Sequence, residues 1–86
     1  MVAAICAAPT ILAQLGITDG KAAVCYPGCE EDMGSAHMRP DAPCVRDGRV
    51  ITAASAGCAI PFGLALIEAL KGAEEAQRIA RQIVIR

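Results

Sequence analysis

Residues 2 to 9 read Val-Ala-Ala-Ile-Cys-Ala-Ala-Pro and connect a short apolar run to the start of a helix. The run from Val2 to Cys6 has no polar or charged residue, which is typical of a strand buried on both faces of a parallel sheet. Pro9 is tolerated in the first turn of a helix, where its missing N–H is not needed. This stretch therefore predicts a strand, a sharp turn and a helix in immediate succession.

The residues that follow continue this pattern with a helix and a second strand. The apolar residues of the helix recur at i, i+3, i+4 and i+7 and form one stripe: Ala8, Ile11, Leu12 and Leu15. Gly16 stands where a helix C-terminal cap belongs. Residues 22–25, Ala-Ala-Val-Cys, predict a short buried strand. Tyr26-Pro27-Gly28 ends it, because proline cannot continue a central strand.

Further along the chain, residues 30–42 predict an acidic turn followed by an irregular loop. Asp47-Gly48 lies between two β-rich runs, 44–46 and 49–52, and is the strongest hairpin signal in the chain. The order so far is strand, helix, strand, hairpin.

Two helices complete the predicted order. Pro61 opens the first, which is apolar on nearly all sides up to Leu70 and should therefore be well covered, and Gly72 ends it. The second helix has an apolar stripe and an exposed i, i+4 ion pair between Glu74 and Arg78. The stripe consists of Ala76, Ile79, Ala80 and Ile83. Strand, helix, strand, hairpin, helix, helix predicts an α/β fold with at least one parallel crossover.

Composition narrows the class of protein. Of 86 residues, 55% are hydrophobic, although a chain this short buries only about 60–65% of its surface. We therefore expect residues 1–86 to be part of a larger domain or an obligate oligomer.

Charge and sequence signals limit the partners and the location of the protein. Eight basic against nine acidic residues argue against nucleic acid as a partner. Polar residues and Pro9 interrupt the uncharged N-terminal stretch, which argues against a membrane span or a signal peptide. Five cysteines without such a signal indicate reduced thiols and a cytoplasmic location.

Cys6 is the residue most suited to chemistry. It stands at the predicted strand-to-helix junction between Ala4 and Ala8, and small residues at both places suit a nucleophile elbow, a tight turn that exposes its central side chain. The helix beyond it favours a thiolate, and the N–H of Ala7 could stabilise an oxyanion. The alternative is that Cys6 is a small buried hydrophobic residue, the commoner fate of a free cysteine.

A metal site is a weaker alternative. Cys25, Cys29 and the only histidine, His37, have a spacing that zinc could accept, with Cys44 as a possible fourth ligand. However, Cys25 lies in an apolar strand and His37 in a polar loop. We therefore predict no metal, and the third hypothesis, a small cysteine-rich metal-binding module, is the weakest.

Several segments resemble the ThiJ/PfpI family, the relatives of the Parkinson-disease protein deglycase. Ala3-Ala4-Ile5-Cys6-Ala7-Ala8-Pro9-Thr10 is similar to its nucleophile segment, and residues 20–28 are similar to its next strand and turn. Residues 45–52 resemble its hairpin, and residues 57–70 its final long helix with the loop before it. The resemblance runs in order along essentially all 86 residues.

The resemblance implies a fold, a site and an assembly. The fold is a flavodoxin-like (class I glutamine amidotransferase-like) three-layer sandwich, of which residues 1–86 are roughly the C-terminal half, usually found as a homodimer. It implies Cys6 as the nucleophile, the Ala7 N–H as the oxyanion donor, and Tyr26 and Pro27 as pocket neighbours. No cofactor is implied.

The sequence also departs from the family pattern. The acidic side chain that tunes the family's cysteine comes from the first half of the domain and has no counterpart here. Ala7 replaces the histidine of the peptidase-like branch, and Tyr26 replaces a histidine that many relatives place before the turn proline. Residues 54–58, Ala-Ser-Ala-Gly-Cys, replace an Arg-Gly-Pro-Gly-Thr loop and lack its cation.

Two main functions follow. In the first, Cys6 of the complete protein attacks a small reactive carbonyl such as a 2-oxoaldehyde or a glycated substrate, as a glyoxalase or deglycase would. In the second, the chain is a non-enzymatic redox-sensing or chaperone-like stress-protection module. Residues 1–86 alone are expected to be inactive.

Overall fold

A computed structural model describes residues 1–85 of the chain. Two short 3-10 turns lie between the regular elements, at Glu30–Asp32 and Ala56–Cys58. The regular elements are, in chain order, β1 (Val2–Ile5), α1 (Pro9–Gln14), β2 (Ala22–Ala23), β3 (His37–Met38), β4 (Cys44–Asp47), β5 (Val50–Ala53), α2 (Ala59–Lys71) and α3 (Ala73–Gln82). The predicted α/β order is therefore present, with β3 added.

The main sheet has three strands in the order β1-β5-β4. β1 pairs in parallel with β5, with Val2 opposite Val50 and Ile5 opposite Ala53. β4 and β5 form the predicted antiparallel hairpin. Gly48, the first residue of its turn, has φ +61°, which glycine adopts without steric cost. The parallel pairing confirms the predicted crossover.

The strand that is buried along its whole length is β5, and the prediction that β1 would be buried on both faces is wrong for the described residues. All four residues of β5 are buried, whereas in β1 only Ala4 is buried and Ala3 is exposed. β5 has a strand on each edge and contacts α2 on one face. Within residues 1–85, β1 pairs with a strand on one edge only. Its apolar composition alone therefore did not predict its burial.

Helix α1 is short and ends as predicted. Gly16 has φ +76° and donates its N–H to Ala13, and the N–H of Ile17 donates to Leu12 at 3.0 Å, which together form a Schellman motif. The apolar stripe is only partly covered, since Ile11 and Leu15 are exposed.

The second sheet corrects the prediction for residues 22–42. β2 has only two strand residues, although Val24 and Cys25 beyond it are buried as expected. Its partner β3 lies inside the predicted irregular loop, because the His37 N–H donates to the Lys21 carbonyl at 2.8 Å. A two-residue strand with one half-buried and one exposed side chain leaves no periodic pattern to recognise.

The last two helices pack mainly on each other. α2 begins at Ala59, so Pro61 lies within its first turn rather than at its start. The expectation that this helix is well covered is wrong for the described residues, because none of its residues is fully buried. Gly72, with φ +95°, separates the two helices as predicted.

Helix α3 also differs from its prediction in two details. Ala76 is buried, but Ile83 lies beyond the end of the helix and is exposed. Arg78 pairs with Glu75, not with Glu74, because an i, i+3 spacing brings the two side chains together on the helix surface. No helix in residues 1–85 is long and apolar enough to cross a membrane.

The core joins the two sheets. Met33 is fully buried and packs in a cluster with Ala23 and Cys25. The buried N–H of Val24 donates to the Thr52 hydroxyl at 3.0 Å, which fixes the segment after β2 against β5. This contact brings the turn at residues 26–28 towards the end of β1, where the candidate site lies.

Candidate functional site

Cys6 lies directly after β1, one residue after the last parallel pair with β5. Its φ is +67°, in the left-handed region that a side chain other than glycine rarely adopts. Such a conformation costs about 1–2 kcal/mol and persists only where the surrounding structure holds it. The strand-to-helix elbow predicted from the small neighbours Ala4 and Ala8 is thus present as a backbone geometry.

Two hydrogen bonds hold Cys6 in this conformation. Its N–H donates to the Ala53 carbonyl at the end of β5, at 3.0 Å. Its carbonyl accepts from the Tyr26 N–H at 2.7 Å. Because both bonds come from separate segments of the core, the strained residue is held from both sides.

The second of these bonds also orients the N–H of Ala7. The Cys6 carbonyl and the Ala7 N–H belong to one planar trans peptide, so they point in opposite directions. Since the carbonyl is directed towards the Tyr26 N–H, the Ala7 N–H is directed away from it. Among residues 1–85 that N–H makes no hydrogen bond, and Ala7 is exposed. The oxyanion donor expected from the sequence is therefore unpaired within the described residues.

The next peptide is fixed by Thr10. Its hydroxyl donates to the Ala7 carbonyl at 2.6 Å, and its N–H donates to the same carbonyl at 3.1 Å. These bonds anchor the elbow to the first turn of α1. The helix has only six residues, so its dipole adds less positive charge near Cys6 than a longer helix would.

Ser55 lies next to the Cys6 thiol, a position that was not predicted from the sequence. Its Oγ is 3.7 Å from the Cys6 Sγ, within hydrogen-bond range for sulfur. Both side chains are partly buried. Ser55 follows β5 by two residues, so the pairing of β5 with β1 brings it beside the residue that follows β1. A serine in a run of small residues carries no sequence signal for this role.

Of the two predicted pocket neighbours, Tyr26 and Pro27, only Tyr26 forms a hydrogen bond with Cys6 in residues 1–85. Tyr26 reaches Cys6 through its backbone N–H, and the residue is 47% exposed. Pro27 is exposed, and the structure gives it no polar contact with Cys6. The contribution of Tyr26 seen here is therefore a backbone contact.

Two of the other four cysteines, Cys25 and Cys44, lie in surroundings that disfavour the thiolate. Burial raises the pKa of the Cys25 thiol to about 11, and the nearby acidic residues Glu30 and Asp32 add to the effect. Burial also raises the pKa of Cys44, with a further contribution from Cys58. No group of three or more His, Cys, Asp or Glu side chains within residues 1–85 is arranged to hold a metal ion.

The raised pKa of Cys25 predicts a specific loss of stability at alkaline pH. The unfolded thiol releases its proton near pH 9, whereas the folded thiol keeps it until about pH 11. Raising the pH through this window therefore favours the unfolded state. We expect the free energy of unfolding of the wild type to fall more steeply between pH 9 and 11 than that of Cys25→Ala. Urea unfolding at several pH values measures the difference, and parallel curves would contradict it.

Together these features define an α/β protein with a cysteine held in a strained conformation at a strand-to-helix elbow, beside a free backbone N–H. The sequence profile of the DJ-1/PfpI family matches residues 1–69. The chain therefore belongs to the DJ-1/PfpI family.

Relatives of known sequence and structure agree with this assignment. The chain is 36% identical over 86 residues to Protein dj-1beta of Drosophila melanogaster, covering 99% of this chain and 46% of that protein. It is 34% identical to the Parkinson disease protein 7 homolog of Danio rerio, covering 100% of this chain and 47% of that protein. The chain thus spans about half the length of these curated relatives.

Solved structures show the same fold. The crystal structure of Drosophila melanogaster DJ-1beta matches with a TM-score of 0.89 and 36% identity, over 100% of this chain and 47% of that one. The structure entitled "Toxoplasma gondii DJ-1, oxidized" matches with a TM-score of 0.84 and 38% identity, over 98% and 46%. The expected fold, the C-terminal half of a flavodoxin-like sandwich, is confirmed.

Proposed function

We propose that Cys6, within the complete protein, acts as a thiolate nucleophile on small reactive aldehydes, as a glyoxalase or deglycase would. The observation that carries the proposal is the φ of +67° at Cys6, held by hydrogen bonds from Ala53 and Tyr26. Strain of this kind is typical of functional sites, because it has no structural benefit of its own. Membership of the DJ-1/PfpI family supports the same chemistry.

The proposed reaction begins with attack of the thiolate on the aldehyde carbon. A C–S bond forms, and the electron pair of the carbonyl double bond moves to oxygen. The Ala7 N–H donates a hydrogen bond to that oxygen, which then takes a proton to give a hemithioacetal. The proton donor is expected from the half of the relatives' length that this chain does not span. The reaction needs no cofactor, and we expect a cytoplasmic homodimer.

A second candidate function is redox sensing by the same thiol. Cys6 is half-buried, so a peroxide can reach its sulfur. The neighbouring Ser55 hydroxyl could form a hydrogen bond with the oxidised sulfur. The thiolate would displace hydroxide from hydrogen peroxide, and the sulfur would become a sulfenic acid. The match to a structure described as oxidised Toxoplasma gondii DJ-1 supports this alternative.

Replacement of Cys6 by serine tests the first candidate. We expect Cys6→Ser to consume methylglyoxal at least ~100-fold more slowly than the wild type, because a hydroxyl is a far weaker nucleophile than a thiolate at pH 7. The assay uses the whole protein that contains this chain. Cys29→Ser is the matched control, since Cys29 is equally half-buried but has φ −97° and packs on the core cluster.

The two candidates give different outcomes. Unchanged methylglyoxal consumption in Cys6→Ser would show that the carbonyl chemistry is wrong. If the wild type consumes no methylglyoxal, but peroxide adds oxygen to Cys6 and not to Cys29, the redox-sensing function is favoured. Mass spectrometry of the two cysteine peptides makes this second measurement.

A further inference from the structure

We infer that Ser55 is the side chain that stabilises the Cys6 thiolate, by donating a hydrogen bond from its hydroxyl to the sulfur. This inference rests on the proposed function, because it assigns Ser55 a role in the same site. Its starting point is the 3.7 Å distance between Ser55 Oγ and Cys6 Sγ. Among residues 1–85 it is the only side-chain hydrogen bond to this sulfur.

The backbone around Ser55 holds its side chain in place. Ala54, the preceding residue, donates its N–H to the Pro43 carbonyl at 3.1 Å. The Ser55 carbonyl accepts from the Cys58 N–H at 2.8 Å. Ser55 itself is fully extended, with φ −171° and ψ −176°, so the residue bears no strain. Because the chain is fixed on both sides, the hydroxyl does not depend on a flexible loop for its position.

The same strand positions both partners. Cys6 is bonded through its N–H to Ala53, the last residue of β5, and Ser55 follows that residue by two positions. The distance between hydroxyl and thiol is therefore set by the pairing of β1 with β5.

The chemistry of the two groups decides which one donates. A thiol and a hydroxyl can each donate to the other, but a thiolate can only accept. When Cys6 loses its proton to water, the hydroxyl turns its proton towards the sulfur. A hydrogen bond to the charged form favours that form. No Lys, Arg or His lies in residues 1–18 or 54–58. The donor side chain that the structure places within hydrogen-bond distance of the sulfur is Ser55.

The pH profile of Cys6 alkylation tests this role. Iodoacetamide is applied to the whole protein from pH 5 to 10, and mass spectrometry follows the Cys6 peptide. We expect Ser55→Ala to react about tenfold more slowly than the wild type at pH 7 and equally fast at pH 10, where the thiolate forms without help. Ser55→Thr keeps the hydroxyl and, in extended backbone, should restore the rate at pH 7 to within about twofold.

Ser35→Ala is the matched control. The chain has two serines, and the Ser35 hydroxyl donates to the Asp19 carboxylate at 2.9 Å on the exposed surface. This variant should follow the wild-type profile. If Ser55→Ala also follows it, or slows alkylation equally at every pH, the role of Ser55 is wrong.

The failure of the role of Ser55 can be distinguished from the failure of the proposed function. A normal profile in Ser55→Ala, together with loss of methylglyoxal consumption in Cys6→Ser, would overturn the role of Ser55 and leave the proposed function intact. A shifted profile together with full methylglyoxal consumption in Cys6→Ser would support Ser55 and overturn the carbonyl chemistry.

Discussion

Cys6→Gly is expected to unfold at a higher urea concentration than the wild type, although it removes the residue proposed to carry the chemistry. Glycine adopts φ +67° freely, whereas a cysteine there costs about 1–2 kcal/mol. Against this gain stand the greater backbone entropy of glycine, about 0.5–1 kcal/mol, and the packing of a half-buried thiol. We expect a net gain of up to about 1 kcal/mol in the free energy of unfolding.

The same substitution at Cys29 provides the comparison. Cys29 is also half-buried, but its φ is −97°, so glycine relieves no strain there. Cys29→Gly should therefore lose about 1 kcal/mol, which makes the two variants differ by about 1–2 kcal/mol. Equal losses in both variants would show that Cys6 stores no strain. A larger stability of Cys6→Gly would instead show that the chain maintains a reactive thiol at a cost in folding free energy.

Thr52→Val is expected to destabilise the protein by about 1–3 kcal/mol, the largest loss we predict for an isosteric change. The Thr52 hydroxyl accepts the buried N–H of Val24 at 3.0 Å. Valine has the same shape but no oxygen, so that N–H is left without a partner in a position that water does not reach.

Thr18→Val is the matched control for this prediction. Thr18 is as buried as Thr52, but its hydroxyl has no hydrogen-bond partner in the described part of the chain. Removing an unpaired buried hydroxyl is neutral or stabilising. Guanidinium unfolding of both variants measures the difference. Similar losses in both would mean that the Thr52 hydroxyl contributes shape and not a hydrogen bond.

Local sequence signals predicted those parts of the fold that depend on neighbouring residues. Asp47-Gly48 and Gly16 require particular backbone angles, and both the hairpin and the end of α1 lie where they were expected. Burial was harder to predict, because it depends on which strand becomes central. β5 is central because β1 and β4 pair with its two edges, and no local pattern in residues 50–53 indicates that position.

The candidate site also combines features that local sequence predicts with features that depend on distant residues. The elbow geometry at Cys6 could be predicted, because small residues before a proline suit a tight turn at a strand end. Ser55 could not, since it meets Cys6 across 49 positions of sequence through the pairing of two strands. The backbone contact of Tyr26 was also beyond prediction, because any residue there could donate the same N–H.

The end of β5 has a consequence for how this site can evolve. The four buried residues of the strand support folding, whereas none of residues 54–58 is buried. Substitutions in this short segment can therefore change the groups around the thiol without disturbing the sheet that holds them. Related proteins with one scaffold can thus diverge in reactivity through a few residues beyond a single strand.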